Sequence, residues 1–352
     1  MNIKEIITKA ERDCADVFSK IDELEAANTR RVLALFQKHR VASHHFAGSE
    51  GYGYGDIGRE TLEAMVADLF NTQAAIFRPQ IASGTHALSL CLFGLLKPNE
   101  HLLSAFGDPY DTLADIIGLH ETVPGSLAEM GISYSKVEPR SNGELDTPAI
   151  LAALEPNTRV ILVQRSRGYS LRKSLQPCDM AELFAAVKKI RPDIYLFVDN
   201  CYGAFTTQDE PTDYGADVVA GSLIKNLGGG LAPTGGYIAG TQLAIDRIAS
   251  RLTAPGIGLE VGSYQPGYRL FFQGLFMAPH TVAQALKTAV LAARACELLG
   301  MKTTPAFDEQ RSDIIQAIAM ADEKQLILFC QGIQAASPID SFAVPEPWAM
   351  PG

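Results

Sequence analysis

Ala216-Asp-Val-Val-Ala-Gly-Ser-Leu-Ile-Lys-Asn-Leu-Gly-Gly-Gly-Leu-Ala-Pro-Thr-Gly-Gly236 places a strand, a lone lysine and a glycine-rich turn in that order. The apolar run Ala216–Ala220 reads as a buried strand, and Gly236–Ala239 reads as another. Lys225 stands among small and apolar residues just past the first of them. Burial disfavours an ammonium, so a lysine here is expected to lose its proton more readily than a solvated one. A neutral amine can form a Schiff base with an aldehyde. The plainer alternative is an exposed loop lysine.

Upstream, short apolar runs alternate with helical patterns. Ala74–Arg78, Leu102–Phe106, Ile132–Val137, Val160–Val163 and Ile194–Val198 read as strands. Thr61–Phe70, Ile81–Leu96, Thr112–Leu119, Thr147–Leu154 and Asp179–Ile190 read as helices between them. Continuous apolar strands are those covered on both faces. The alternation therefore predicts an α/β fold, a mostly parallel sheet with helices on both faces. Residues 3–39 carry apolar residues at three- and four-residue steps, which predicts an N-terminal helical arm, one helix or two. Downstream, helix is expected over Gln242–Leu252, a Gly- and Pro-punctuated boundary over Pro255–Gln273, and an Ala-rich helix over Thr281–Leu299. Asp313–Ile318 is a strand candidate and Glu323–Gln334 a further helix. The expected division is an arm over 1–50, a large domain over 51–275 and a smaller α+β domain over 276–352.

Lys and Arg total 30 against 40 Asp and Glu, a net charge of −10. That argues against a broad nucleic-acid surface, which needs a basic footprint. No run of about 18 apolar residues suggests a membrane span. The six cysteines are scattered without a C-x-x-C pair, so no zinc or other metal site is expected. They read as reduced thiols in a cytoplasmic protein. Gly53-Tyr-Gly-Asp-Ile-Gly58 matches a dinucleotide fingerprint formally, but no strand precedes it, so it reads as a tight loop.

Ligands of such sheets gather beyond the carboxyl ends of strands. Three points there are chemically coherent. Ser83-Gly84-Thr85 opens an apolar helix and offers amides and hydroxyls to a phosphate. Asp199 directly follows Ile-Tyr-Leu-Phe-Val and can hold a protonated ring nitrogen. Ser222 and Lys225 follow the strand quoted first. Pyridoxal 5'-phosphate needs this set: a phosphate site, a carboxylate for its pyridine nitrogen and a lysine for its aldehyde. Tyr110, in Gly-Asp-Pro-Tyr-Asp, is placed to stack on the ring. Gln164, Arg165, Ser166 and Arg167 close another strand and face either cofactor and substrate or a structural loop with solvated arginines.

In this order, Ser-Gly-Thr-His-Ala, Val-Asp-Asn-Cys-Tyr-Gly and Gly-Ser-Leu-Ile-Lys-Asn resemble fold-type I pyridoxal-phosphate enzymes. Gly-Tyr-Gly-Tyr-Gly-Asp-Ile-Gly-Arg, Gln-Arg-Ser-Arg-Gly-Tyr, Lys-Asn-Leu-Gly-Gly-Gly and Phe-Cys-Gln-Gly-Ile-Gln resemble, more narrowly, the methionine gamma-lyase-like group often labelled aluminium-resistance proteins. The resemblance implies a carbon–sulfur lyase acting on a sulfur-containing amino acid, and a homodimer or homotetramer. It also implies that Tyr54 (or Tyr52) and Arg59 reach the phosphate of the neighbouring subunit. Ile224 stands where related lyases often have a hydroxyl, leaving Ser222 as the hydroxyl of that pair. The family pattern continues beyond Gly352, so the 276–352 domain is expected to be incomplete and its hold on substrate impaired. Two other readings stay open: a decarboxylase or aldolase using the same cofactor, and a stress-response protein that kept the fold without the activity.

Overall fold

The computed structural model describes residues 2–348; Met1 and the last four residues, which close the expected C-terminal domain, lie outside it. In chain order the elements are α1 (Ile3–Asp13), α2 (Ala15–Lys38), α3 (Ile57–Leu69), β1 (Ala74–Arg78), α4 (Gly84–Leu95), β2 (His101–Ser104), α5 (Asp111–Ile117), β3 (Ser133–Lys136), α6 (Thr147–Ala152) and β4 (Thr158–Gln164). There follow α7 (Ala181–Ile190), β5 (Tyr195–Asp199), β6 (Val218–Ser222), β7 (Gly236–Gly240), α8 (Gln242–Leu252), α9 (Arg269–Leu298), β8 (Thr303–Thr304), β9 (Ala317–Ile318) and α10 (Glu323–Ala336). None of the described helices is long and apolar enough to cross a membrane.

Seven strands form one sheet in the order β1-β7-β6-β5-β4-β2-β3. β7 runs antiparallel to both neighbours, and the remaining pairings are parallel. The expected α/β class is the one observed. β4, β5 and β6 are buried almost throughout, as their unbroken apolar runs require. Helix α4 packs on β6, β7 and α8, and Leu88, Leu92 and Leu95 on it are buried. Each such leucine contributes about 1.5–3 kcal/mol relative to exposure. Register sets the site: Gln164 lies opposite Asp199, and Asp199 opposite Ala220, two residues before Ser222. The last residues of β4, β5 and β6 therefore share one end of the sheet.

The chain divides into two compact units. The larger is Phe18–Lys287 with Arg311–Ile315; the smaller takes the described parts of Met1–Val17, Thr288–Gln310 and Gln316–Gly352. These bounds differ from 1–50, 51–275 and 276–352. Within the smaller unit α1 joins the second half of α9, where Arg294 pairs with Asp13 at 2.6 Å. Nor does Pro255–Gln273 form a boundary, because α9 starts at Arg269 and runs on through Gly274 and Pro279. Asp313–Ile318 is a strand only at Ala317–Ile318.

A close approach explains the glycines after Lys225. A Cβ on Gly228 would lie 1.7 Å from the Leu223 carbonyl oxygen, and one on Gly274 would lie 2.3 Å from the Gly228 oxygen. The turn is thus pressed against α9 backbone to backbone, which only glycine permits. The glycine-rich turn is a tightly packed support for Lys225.

Candidate active site

Asp199 ends β5 and is only 7% exposed. Its Oδ1 accepts from the Cys201 amide at 3.0 Å. Burial pushes its carboxyl above the ordinary value, against the opposing pull of the Cys201 hydrogen bonds and the positive charges of Lys225 and Arg172. The next residue anchors it: Asn200 receives Arg165 Nη1 at 2.8 Å and donates to Glu210 at 3.0 Å. Arg165 is fully buried in this network, and Arg167 is buried too. Neither is a solvated loop arginine. Gln164 and Ser166 do line the cleft.

Lys225 is half-buried beside the same cleft. Asn226 fixes it by donating to the carbonyls of Tyr202 and Ala204 at 3.0 and 2.9 Å. The Lys225 ammonium lies 3.9 Å from the centroid of the Tyr202 ring. Burial acts to lower its pKa, but Cys201, Tyr202 and Asp199 oppose it, and the net direction is upward. This corrects the expectation of an easily lost proton. Cys201 acts on the lysine only as a thiolate, and burial pushes that thiol well above its usual range. The Tyr202 hydrogen bond and, when ionised, the Asp199 carboxylate remain to oppose burial.

The phosphate end is built from α4 and β6. Ser83 caps α4 by accepting from the His86 amide at 3.0 Å, leaving earlier first-turn amides without intrahelical partners. A Cβ on Gly84 would meet Ser222 Cβ at 3.1 Å and Cys201 Sγ at 3.2 Å, so the helix start approaches β6 as a glycine allows. Thr85 Oγ1 meets Thr112 Oγ1 at 3.0 Å on the cleft wall. Ser222 Oγ is buried with no hydrogen-bond partner among the described residues. A buried hydroxyl left unpaired costs stability, and an anion beside a helix start would satisfy it. The residues present thus fit a phosphate, and with Asp199 and Lys225 they fit the whole of pyridoxal phosphate. Ser222→Ala is expected to raise the stability of the cofactor-free protein by about 1 kcal/mol, because it removes the unpaired buried hydroxyl. It is expected to weaken cofactor affinity about tenfold, the worth of one charge-assisted hydrogen bond. Thermal melts and cofactor titration measure the two.

Tyr110 precedes α5 and lines the cleft, in keeping with a ring-facing role. Tyr54 and Arg59 do not line the cleft of their own protomer. Tyr54 is exposed, against Tyr52. Arg59 is buried and donates to the carbonyls of Gly53 and Gly262 at 2.9 and 3.2 Å. Cys201, Tyr202 and Tyr169 stand inside the quoted motifs, but the sequence pattern assigns none of them a role, and Thr112 belongs to no motif. Only folding brings them to the cleft or its rim. Asp313, a strand candidate by pattern, is instead buried and accepts from Ser166 Oγ at 3.0 Å and the Arg167 amide at 3.1 Å.

A buried carboxylate, a lysine and an unsatisfied phosphate-type pocket at the carboxyl end of this sheet define a fold-type I pyridoxal-phosphate enzyme. The sequence profile of the methionine gamma-lyase family matches residues 3–352, and the chain belongs to that family. It is a pyridoxal-phosphate-dependent carbon–sulfur lyase by that membership. It is 46% identical to the uncharacterized protein YnbB of Bacillus subtilis, over 99% of this chain and 83% of that one. The crystal structure of a carbon-sulfur lyase involved in aluminum resistance from Clostridium novyi NT superposes with a TM-score of 0.96 at 47% identity, covering 99% of this chain and 83% of the other. L-methionine gamma-lyase of Pseudomonas putida is 28% identical over 58% of this chain and 46% of its own length.

Proposed function

We propose that the chain cleaves a sulfur-containing amino acid by α-proton abstraction and β- or γ-elimination, releasing a thiol, a keto acid and ammonia. The observation that carries this reading is the convergence of Asp199, Lys225 and the unpaired Ser222 hydroxyl around Gly84 and Cys201. Gly84, Thr85, Ser83 and Ser222 would hold the phosphate, Asp199 the ring nitrogen, Lys225 the aldehyde carbon, and Tyr110 one ring face. When bound, the cofactor supplies a sink for the electrons of the broken Cα–H bond. Asp199 would keep its charge by pairing with a protonated ring nitrogen, which would offset the cost of its burial. Lys225, on the same cleft, would serve as the base at Cα.

The protein is read as a homodimer or dimer of dimers, with the loop carrying Tyr52 and Tyr54, held by Arg59, turned toward the neighbouring phosphate site. Sedimentation of the purified protein as a monomer would contradict that assembly. The six cysteines are all free thiols, which supports a reducing compartment, the cytoplasm. The activity test loads the protein with pyridoxal phosphate and assays thiol, keto acid and carbon dioxide from methionine, cystathionine and cysteine. Thiol with keto acid is the expected result. Carbon dioxide release without thiol, or a colourless protein that takes up no cofactor, refutes the reading.

A further inference from the structure

A lysine that takes the Cα proton must end as an ammonium, and a half-buried ammonium needs a partner. Tyr202 is placed to be that partner. Lys225 Nζ lies 3.9 Å from the centroid of the Tyr202 ring, and both residues line the cleft. The face of an aromatic ring attracts a cation and has no such hold on a neutral amine. The contact therefore favours the lysine in the state it reaches after accepting a proton.

Two sets of hydrogen bonds fix the ring under the amine. Asn226, next to Lys225, donates to the Tyr202 and Ala204 carbonyls at 3.0 and 2.9 Å, which ties the lysine's backbone to that of the tyrosine. On the other side of Tyr202, Asn200 is held by Arg165 at 2.8 Å and by Glu210 at 3.0 Å. Gly203 lets this grip close, since a Cβ there would lie 2.3 Å from Asn200 Oδ1 and 2.5 Å from Arg165 Nη1. The turn is completed by the Gly203 amide on the Asn200 carbonyl at 3.2 Å and the Thr206 amide on the Gly203 carbonyl at 3.1 Å. Besides Tyr202, the titratable groups that act on the Lys225 amine are Cys201 and Asp199. Burial keeps the Cys201 thiol neutral. Asp199 would face the ring nitrogen of the cofactor. The Tyr202 ring is then the group left to answer a change of charge on the lysine.

We propose that Tyr202 is a positioning residue for Lys225, whose ring face receives the ammonium formed when the lysine takes the substrate's Cα proton. This rests on the carbon–sulfur lyase reading. The Cα–H bond breaks, an N–H bond forms on Lys225, and the electron pair of the broken bond passes to the bound cofactor. No oxidant or reductant is consumed.

Tyr202→Leu removes the ring face, and Tyr202→Phe keeps it; Tyr202→Met replaces the leucine variant if that one does not fold. Cofactor-free proteins are first treated with formaldehyde and cyanoborohydride between about pH 7 and 11, the range in which lysines titrate, and methylation of Lys225 is followed by mass spectrometry of its peptide. The neutral amine alone reacts. Loss of the ring should lower the pH at which the rate levels off by about 0.7, so that labelling below it is about fivefold faster. A turn that is merely loosened would raise the rate at every pH without moving that point. The loaded enzymes are then compared on S-ethylcysteine and its Cα-deuterated form. Tyr202→Leu should lower kcat about fivefold with KM within about twofold, and should enlarge the deuterium effect on kcat, because the Cα proton transfer is the step that slows. Tyr202→Phe should recover most of both changes. An unmoved levelling-off pH in the leucine variant, or a phenylalanine variant as defective as leucine, overturns the proposal. Wild type that releases no thiol overturns the lyase reading and the role at Cα with it; normal wild-type turnover without the labelling shift isolates Tyr202 as the failure.

Discussion

Lys225→Ala is expected to abolish the visible absorption of the cofactor-loaded protein and to lower kcat for thiol release by about 10⁴-fold. Lys225 is the lysine among the cleft-lining residues, and its position is fixed by Asn226 and by the glycine turn packed on α9. Alanine removes both the amine that would hold the cofactor and the base that would act at Cα. The fold should tolerate it, since what alanine forfeits is chiefly the ammonium's place over the Tyr202 ring, worth about 0.5–2 kcal/mol. Lys225→Arg sharpens the test. It retains the positive charge facing Asp199 but not the nucleophile, and should fail as completely in absorption and turnover. A variant that keeps its colour and activity would move the chemistry to another residue.

Asp199→Asn is expected to move activity and stability in opposite directions. Asparagine cannot keep the ring nitrogen protonated, so kcat/KM should fall by about 10²-fold or more. In the cofactor-free protein the same change should raise the melting temperature by about 2 °C at a pH where the carboxyl is ionised, because it removes a buried charge. The pH dependence follows from the direction of the shift. Burial raises the Asp199 carboxyl in the native state, so the native state holds that proton to higher pH than the unfolded chain does. Stability of the wild type therefore declines as pH rises through the interval between the ordinary and the raised value, and stays lowered above it. The asparagine variant lacks this dependence. Its advantage should be full above the raised value and vanish as pH falls below the ordinary carboxyl range. Melts of both proteins across pH read the effect, and an equal melting temperature at a pH where the carboxyl is ionised would show that Asp199 carries no such strain.

Much of the sheet is legible before folding because β4, β5 and β6 are continuous apolar runs, and α8 over Gln242–Leu252 is legible from its helical pattern. The pattern starts α9 twelve residues too late because Gly274 and Pro279 resemble stops. Gly274 is needed because α9 must let the Gly228 backbone approach, and Pro279 lies within the helix without ending it. The smaller unit escapes a reading by periodicity because the pairing of Asp13 with Arg294 joins residues 281 apart, a separation that periodicity does not register. Arg165 shows the same limit within the site: a lone arginine at a strand end looks solvated until Asn200 and Glu210 are seen around it.

The sequence by itself determined the α/β sheet and the chemical set of Ser83, Gly84, Thr85, Asp199, Ser222 and Lys225, because strand ends and helix starts are local features and the residue types there have few shared uses. Tertiary structure decided the rest. It buried Asp199 and left Ser222 unpaired among the described residues, and it set Lys225 over the Tyr202 ring. It also brought Tyr169 to Tyr110 across 59 residues. These are properties of desolvation and of contacts between distant segments, and both come into being only when the chain is packed.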